Sequence, residues 1–148
     1  MVWFFQTWGV QTIKFVIPAR QNSKGLPHKN RRLFNHTIKT IPPELLRNVI
    51  VTTDDKVIIK KAKDLKVLPR EESLAQDDTS IKDVMKDVVK KFSLHETETI
   101  TMLYLTYPER TWEEVEEAIS LFRKHSSRSL LCKKDLKISP FLCMIEDG

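Results

Sequence analysis

Residues 48–53, Asn48-Val49-Ile50-Val51-Thr52-Thr53, are rich in β-branched side chains and carry no charge. A strand with one wet face alternates apolar and polar residues. A short unbroken run like this one is buried on both faces, as in a parallel sheet. The neighbouring segments agree. Ile13 to Ile17 form another strand, closed by Pro18. Leu33, Phe34, Ile38 and Ile41 offer a short apolar helix face that Pro42-Pro43 must end. After the central run, Asp54 is placed to cap a helix in which Ile58, Ala62 and Leu65 recur at helical spacing.

The alternation continues. Val67 and Leu68 make a short strand before Pro69. Ile81, Val84, Met85, Val88, Val89 and Phe92 form a helical stripe behind a Ser80/Asp83 capping box. Strands follow at Thr99–Leu105, Ser129–Cys132 and Phe141–Ile145, with a Thr111/Glu114-capped helix after the first of them. Parallel strands need such crossovers. The expected fold is a three-layer α/β/α sandwich with a mostly parallel sheet, spanning residues 13–148. Residues 1–12 are expected to be an N-terminal extension. Its aromatic stretch MVWFFQTWGV has no basic start and no cleavage site, so it is not read as a signal peptide, and the expected location is cytoplasmic.

Composition narrows the function. The chain has 148 residues, enough for one domain with a real core. Hydrophobic residues at 41% and charged residues at 30% are ordinary for a soluble globular protein. No apolar run approaches the roughly 18 residues of a membrane span. The net charge of +5 comes from 25 Lys and Arg against 20 Asp and Glu. Residues 20–32 alone hold Arg20, Lys24, Lys29, Arg31 and Arg32 with no acid, and account for the whole excess. One cationic segment on a near-neutral protein suits a compact, multiply charged anion better than it suits nucleic acid.

That segment leaves the carboxyl end of the first strand, where open parallel sheets bind ligands. Gly25 and Pro27 mark residues 19–30 as a loop. Arg20, Lys24 and Lys29 are placed to surround a triphosphate, with backbone N–H groups near Ser23 to Gly25 as further donors. Neither G-x-x-x-x-G-K-[ST] nor G-x-G-x-x-G is present, which argues against P-loop and dinucleotide sites. The four histidines are scattered without metal-ligand spacing and are expected at the surface or in capping positions. Cys132 and Cys143 are expected to be buried reduced thiols. Asp54, Asp77 and Asp147 are available carboxylates best explained as caps and a chain end, so no metal ligand is assigned.

Ile17-Pro18-Ala19-Arg20-Gln21-Asn22-Ser23-Lys24-Gly25-Leu26-Pro27-His28-Lys29-Asn30 closely resembles the signature loop of the acylneuraminate cytidylyltransferases, the CMP-sialic acid synthetases. Val49 to Asp55, Arg70 with Leu74 to Val84, and Thr106 to Thr111 resemble three further motifs of that family, in order. The resemblance implies a nucleotide-diphospho-sugar-transferase-like fold that transfers CMP from CTP to a nine-carbon 2-keto sugar acid, with Mg²⁺ and release of pyrophosphate. It implies that Arg20, Ser23, Lys24 and Lys29 hold phosphates, with Arg20 and Lys24 the catalytic pair. Gln21 and Asn30 would contact the nucleotide, and Arg70, Thr79 and Ser80 would recognise cytosine. The implied partners are CTP and the sugar acid in a homodimer, with no nucleic acid and no membrane.

Three departures stand beside the resemblance. Tyr104 occupies the position of a family glutamine near the sugar, and a phenol cannot reproduce an amide's donor-acceptor pair. The segment between Asn30 and Asn48 is short. The chain also stops at Gly148, before the family's metal-binding aspartates. The expectation is therefore a domain truncated relative to the family. The alternative to an active CMP-sugar synthetase is an inactive CTP-binding remnant or one partner of a split enzyme.

Overall fold

The computed structural model describes residues 12–21, 28–125 and 129–132. The chain divides between Arg110 and Thr111 into two compact units. The first unit holds four strands, β1 (Ile13–Pro18), β2 (Val49–Thr53), β3 (Lys66–Pro69) and β4 (Thr99–Met102), and three helices, α1 (Lys29–Thr40), α2 (Lys56–Lys61) and α3 (Ile81–Lys91). The second holds α4 (Trp112–Lys124), whose N-terminus carries the expected capping box, with Thr111 and Glu114 each accepting the other's backbone N–H.

All strand pairings are parallel, in the order β3-β2-β1-β4. The fold is thus the expected α/β sandwich. Every residue of β2 is buried, as its unbroken β-branched run requires. On one face of the sheet Val16 and Ile50 pack with Val88 of α3, and Leu68, Met85, Phe92 and Ile100 close around them. Phe15, Ile17, Val49 and Val51 are buried by the alternate pleat, as are Phe34 of α1 and Ile58 of α2. Replacing Ile50, which is 1% exposed, with valine removes one methylene from this core. The expected cost is about 0.5–1.5 kcal/mol, read from denaturant unfolding.

Several local expectations are corrected. Asp55, not Asp54, caps α2 by accepting from Val57 N at 2.8 Å. Asp54 instead accepts the backbone N–H of Gln21 at 2.7 Å. Lys29 and Asn30 lie in the first turn of α1 rather than in a loop. The fourth strand ends at Met102, short of Leu105. Residues 129–132 form no strand and are exposed, Cys132 included, because the segment has no partner strand among the described residues to hold it extended. The expected strand Phe141–Ile145 and Cys143 lie outside the described residues. Ser80 caps α3 as expected, accepting from Asp83 N, but Asp83 returns its carboxylate to the Ser80 hydroxyl rather than to a backbone N–H.

Candidate functional site

The strand order places β1 between β2, which follows it in sequence, and β4, which comes last. The chain winds one way from β1 to β3 and then returns to the other side. That reversal opens a crevice at the carboxyl ends of β1 and β4, where ligands bind in open α/β sheets. A cleft of about 290 Å³ lies there. Its polar wall is built by Arg20, Lys29, Asn30, Arg70 and Thr79, and Tyr104 with Thr106 forms the β4 side. Of the residues singled out in the sequence, these are the ones the fold brings together. Gln21 and Ser80 are not among the lining residues: Gln21 is exposed, and the Ser80 hydroxyl serves the α3 cap. Ser23 and Lys24 lie outside the described residues.

The α1 N-terminus faces the chemistry unusually. His28, in the N-cap position, adopts a left-handed backbone (φ 54°), and no side chain among the described residues caps the helix. The first turn has no acidic residue and holds Lys29, Arg31 and Arg32, of which Arg31 is paired with Asp55 and Lys29 lines the cleft. Backbone N–H groups and the helix dipole already make such an end electropositive, so cations there are unfavourable unless an anion is to be held. The strained His28 belongs to the same stretch.

Arg20 is fixed at both ends. Asn30 Nδ2 donates to its carbonyl at 2.8 Å, and its Nη1 donates to Gln76 O at 3.0 Å and lies 2.7 Å from the Asp77 carboxylate. Arg70 lies against β2, with Nη2 donating to Thr52 O at 3.1 Å and its backbone N–H to Thr53 O at 2.8 Å. Its Nε is buried without a hydrogen-bond partner among the described residues. Burial disfavours the Arg70 cation, Asp54 favours it and Arg20 opposes it, leaving its pKa below the usual guanidinium value. Thr79 donates its hydroxyl to Ser73 O at 3.2 Å. Burial, with a lesser contribution from Tyr107, pushes the Tyr104 phenol up, so at neutral pH it is an O–H donor.

The sequence reading left out the apolar floor made by Leu74, Ile81 and Val84, and it left out Asp77 as a lining residue. The helical stripe signalled Val84. Nothing local signalled that Asp77 would meet Arg20. The described carboxylates do not fit a resident metal: no group of three or more His, Cys, Asp or Glu converges among the described residues, and Asp77 is already engaged by Arg20. The histidines hold surface positions, and His36 bonds Pro108 O at 2.7 Å. No helix among the described residues is long and apolar enough to cross a membrane.

The sheet order and the switch-point cleft define an open parallel α/β fold of the kind that binds ligands at its strand ends. It superposes on a CMP:2-keto-3-deoxy-manno-octonic acid synthetase complexed with CTP with a TM-score of 0.54, at 20% identity, covering 78% of this chain and 49% of that one. The family model described as cytidylyltransferase matches residues 14–125, and the chain belongs to that family. Among curated relatives, the CMP-N,N'-diacetyllegionaminic acid synthase of Legionella pneumophila is 29% identical over 145 residues, which is 90% of this chain and 62% of that protein. The N-acylneuraminate cytidylyltransferase of Streptococcus agalactiae serotype V is 25% identical over 138 residues, 86% and 33% respectively. That of Escherichia coli O18:K1:H7 is 32% identical over 117 residues, 73% and 27%. The chain thus spans between about a quarter and three fifths of the length of these relatives.

Proposed function

We propose that the chain binds CTP at the β1–β4 cleft and transfers CMP to a nonulosonic sugar acid, releasing pyrophosphate. The observation that carries this reading is the acid-free first turn of α1, whose Lys29 and Asn30 line the same cleft as Arg20 and Arg70. In the proposed reaction a sugar hydroxyl attacks the α-phosphorus in line, and the bond to the bridging oxygen breaks as pyrophosphate leaves. Arg20, Lys29 and the α1 N–H groups neutralise the phosphate charge, together with Lys24 and Ser23 of the signature loop. Arg70 and Thr79 read the cytosine edge. Asn30 secures Arg20 and the ribose side. Tyr104 bounds the sugar.

The names of the relatives, sialic and legionaminic acid enzymes, support the nine-carbon acid class. Mg²⁺ would accompany the CTP phosphates and offset part of their charge. A homodimer, a cytoplasmic location and a role in cell-surface polysaccharide synthesis complete the reading.

The test is pyrophosphate release with CTP, Mg²⁺ and a panel of nonulosonic acids, paired with calorimetric titration of CTP. Wild type is expected to bind and turn over, and Lys24→Ala to lose CTP affinity about 10- to 100-fold, the equivalent of one charge-assisted contact. A wild-type chain that ignores CTP would sink the reading. A second reading, CTP binding without transfer, is favoured by the phenol of Tyr104 on the sugar side, and binding without pyrophosphate release would select it.

A further inference from the structure

We infer that Asp77 is a positioning residue that aims the Arg20 guanidinium at the nucleotide phosphates, an inference that rests on the CTP site proposed above. Arg20 is the first side chain past the β1–Ala19 segment, and its backbone is anchored by hydrogen bonds. Ala19 N donates to Thr52 O at 3.0 Å, Asn30 holds the Arg20 carbonyl, and Gln21 N is held by Asp54. What remains free to rotate is the long side chain. Nη1 meets Gln76 O and Asp77 Oδ1 together, at 3.0 and 2.7 Å. These two contacts fix the plane of the guanidinium, whose fork also carries donors on Nε and Nη2. They also tie the carboxyl end of β1 to the turn before α3, across the cleft that both residues line.

The alternative purpose of such a pair is to hold the fold. Its exposure argues otherwise. The Asp77 side chain is 52% exposed and that of Arg20 23%. Ion pairs of this kind add little to stability, because water competes and two long side chains lose freedom. A pair of small structural value inside a cleft serves orientation, and misorienting a phosphate-binding cation weakens binding without unfolding the chain.

The experiment is calorimetric titration of CTP, with Mg²⁺, into the intact chain and its variants. Asp77→Ala is expected to weaken CTP binding about 10-fold, within the range of couplings between contacting residues. Asp77→Asn, whose amide oxygen still accepts from Nη1, should recover part of that loss. Melting temperatures should stay within about 2 °C of wild type. On an Arg20→Met background, Asp77→Ala should cost nothing more. Equal or tighter binding by Asp77→Ala would overturn the inference, because Asp77 would then be a competitor for Arg20. The same loss on the Arg20→Met background would overturn it as well. Wild type that fails to bind CTP would remove the site reading and this inference with it.

Discussion

Asp55→Ala is expected to lower the unfolding free energy by about 2–4 kcal/mol. The carboxylate is fully buried, accepts from Arg31 Nε at 2.7 Å and caps α2 through Val57 N. Its own backbone N–H donates to the Thr53 hydroxyl at 3.0 Å, and that hydroxyl donates to Ala19 O. Breaking one side of a buried pair costs about 3–5 kcal/mol, but a quarter of the Arg31 side chain remains exposed, which lowers the figure. Loss of the cap restores about 1 kcal/mol of that penalty. Asp55→Asn keeps an oxygen for the cap and should cost less than Asp55→Ala. Denaturant unfolding at neutral pH measures both.

Acid should give the same information. Burial alone would raise the Asp55 carboxyl, but the Arg31 bond and the Val57 N–H outweigh it and hold the carboxyl below its ordinary value. The unfolded chain binds the proton more readily, so the contribution of Asp55 is full above the unfolded carboxylate pKa, about 4. It is lost as pH falls through the lower folded value. Wild-type stability should therefore drop below about pH 4, and the Asp55→Asn variant should show a flatter slope over that window.

The second large effect concerns Arg70. On the proposed function, Arg70→Met should weaken CTP binding about 10- to 100-fold, the loss of a charged hydrogen-bond donor set. Folding should change by less than about 1 kcal/mol. The variant loses the bond from Nη2 to Thr52 O, but it also removes a buried Nε that has no partner among the described residues, and the methionine stem keeps the packing. Titration calorimetry and denaturant unfolding on the same preparation separate the two. An affinity equal to wild type would place cytosine recognition elsewhere.

The parts of this molecule that were legible in its sequence are those fixed by local composition. The β2 run could only be a doubly buried strand, and the stripe from Ile81 to Phe92 could only be an amphipathic helix. The Asp54-Asp55 pair shows where local reading stops: either residue has the chemistry of a cap, and only the geometry after Thr53 gives the cap to Asp55 and sends Asp54 to Gln21. The start of α1 was hidden for a local reason: helices are read from their capping residues, and its N-cap residue, His28, makes no side-chain cap hydrogen bond. The Arg20–Asp77 contact joins residues far apart in the chain, so no spacing rule could have found it.

The central place of β1 also gives it one near and one distant partner in sequence. Its partner on one side, Val49 opposite Phe15, is made early in synthesis, whereas on the other side Ile13 must wait for Thr99. The longer closure carries the greater entropic toll and is expected to form after the shorter one. On the proposed function, a chain stopped before Met102 would hold the β1–β2–β3 half without the wall that carries Tyr104, and CTP capture would have to wait for that wall.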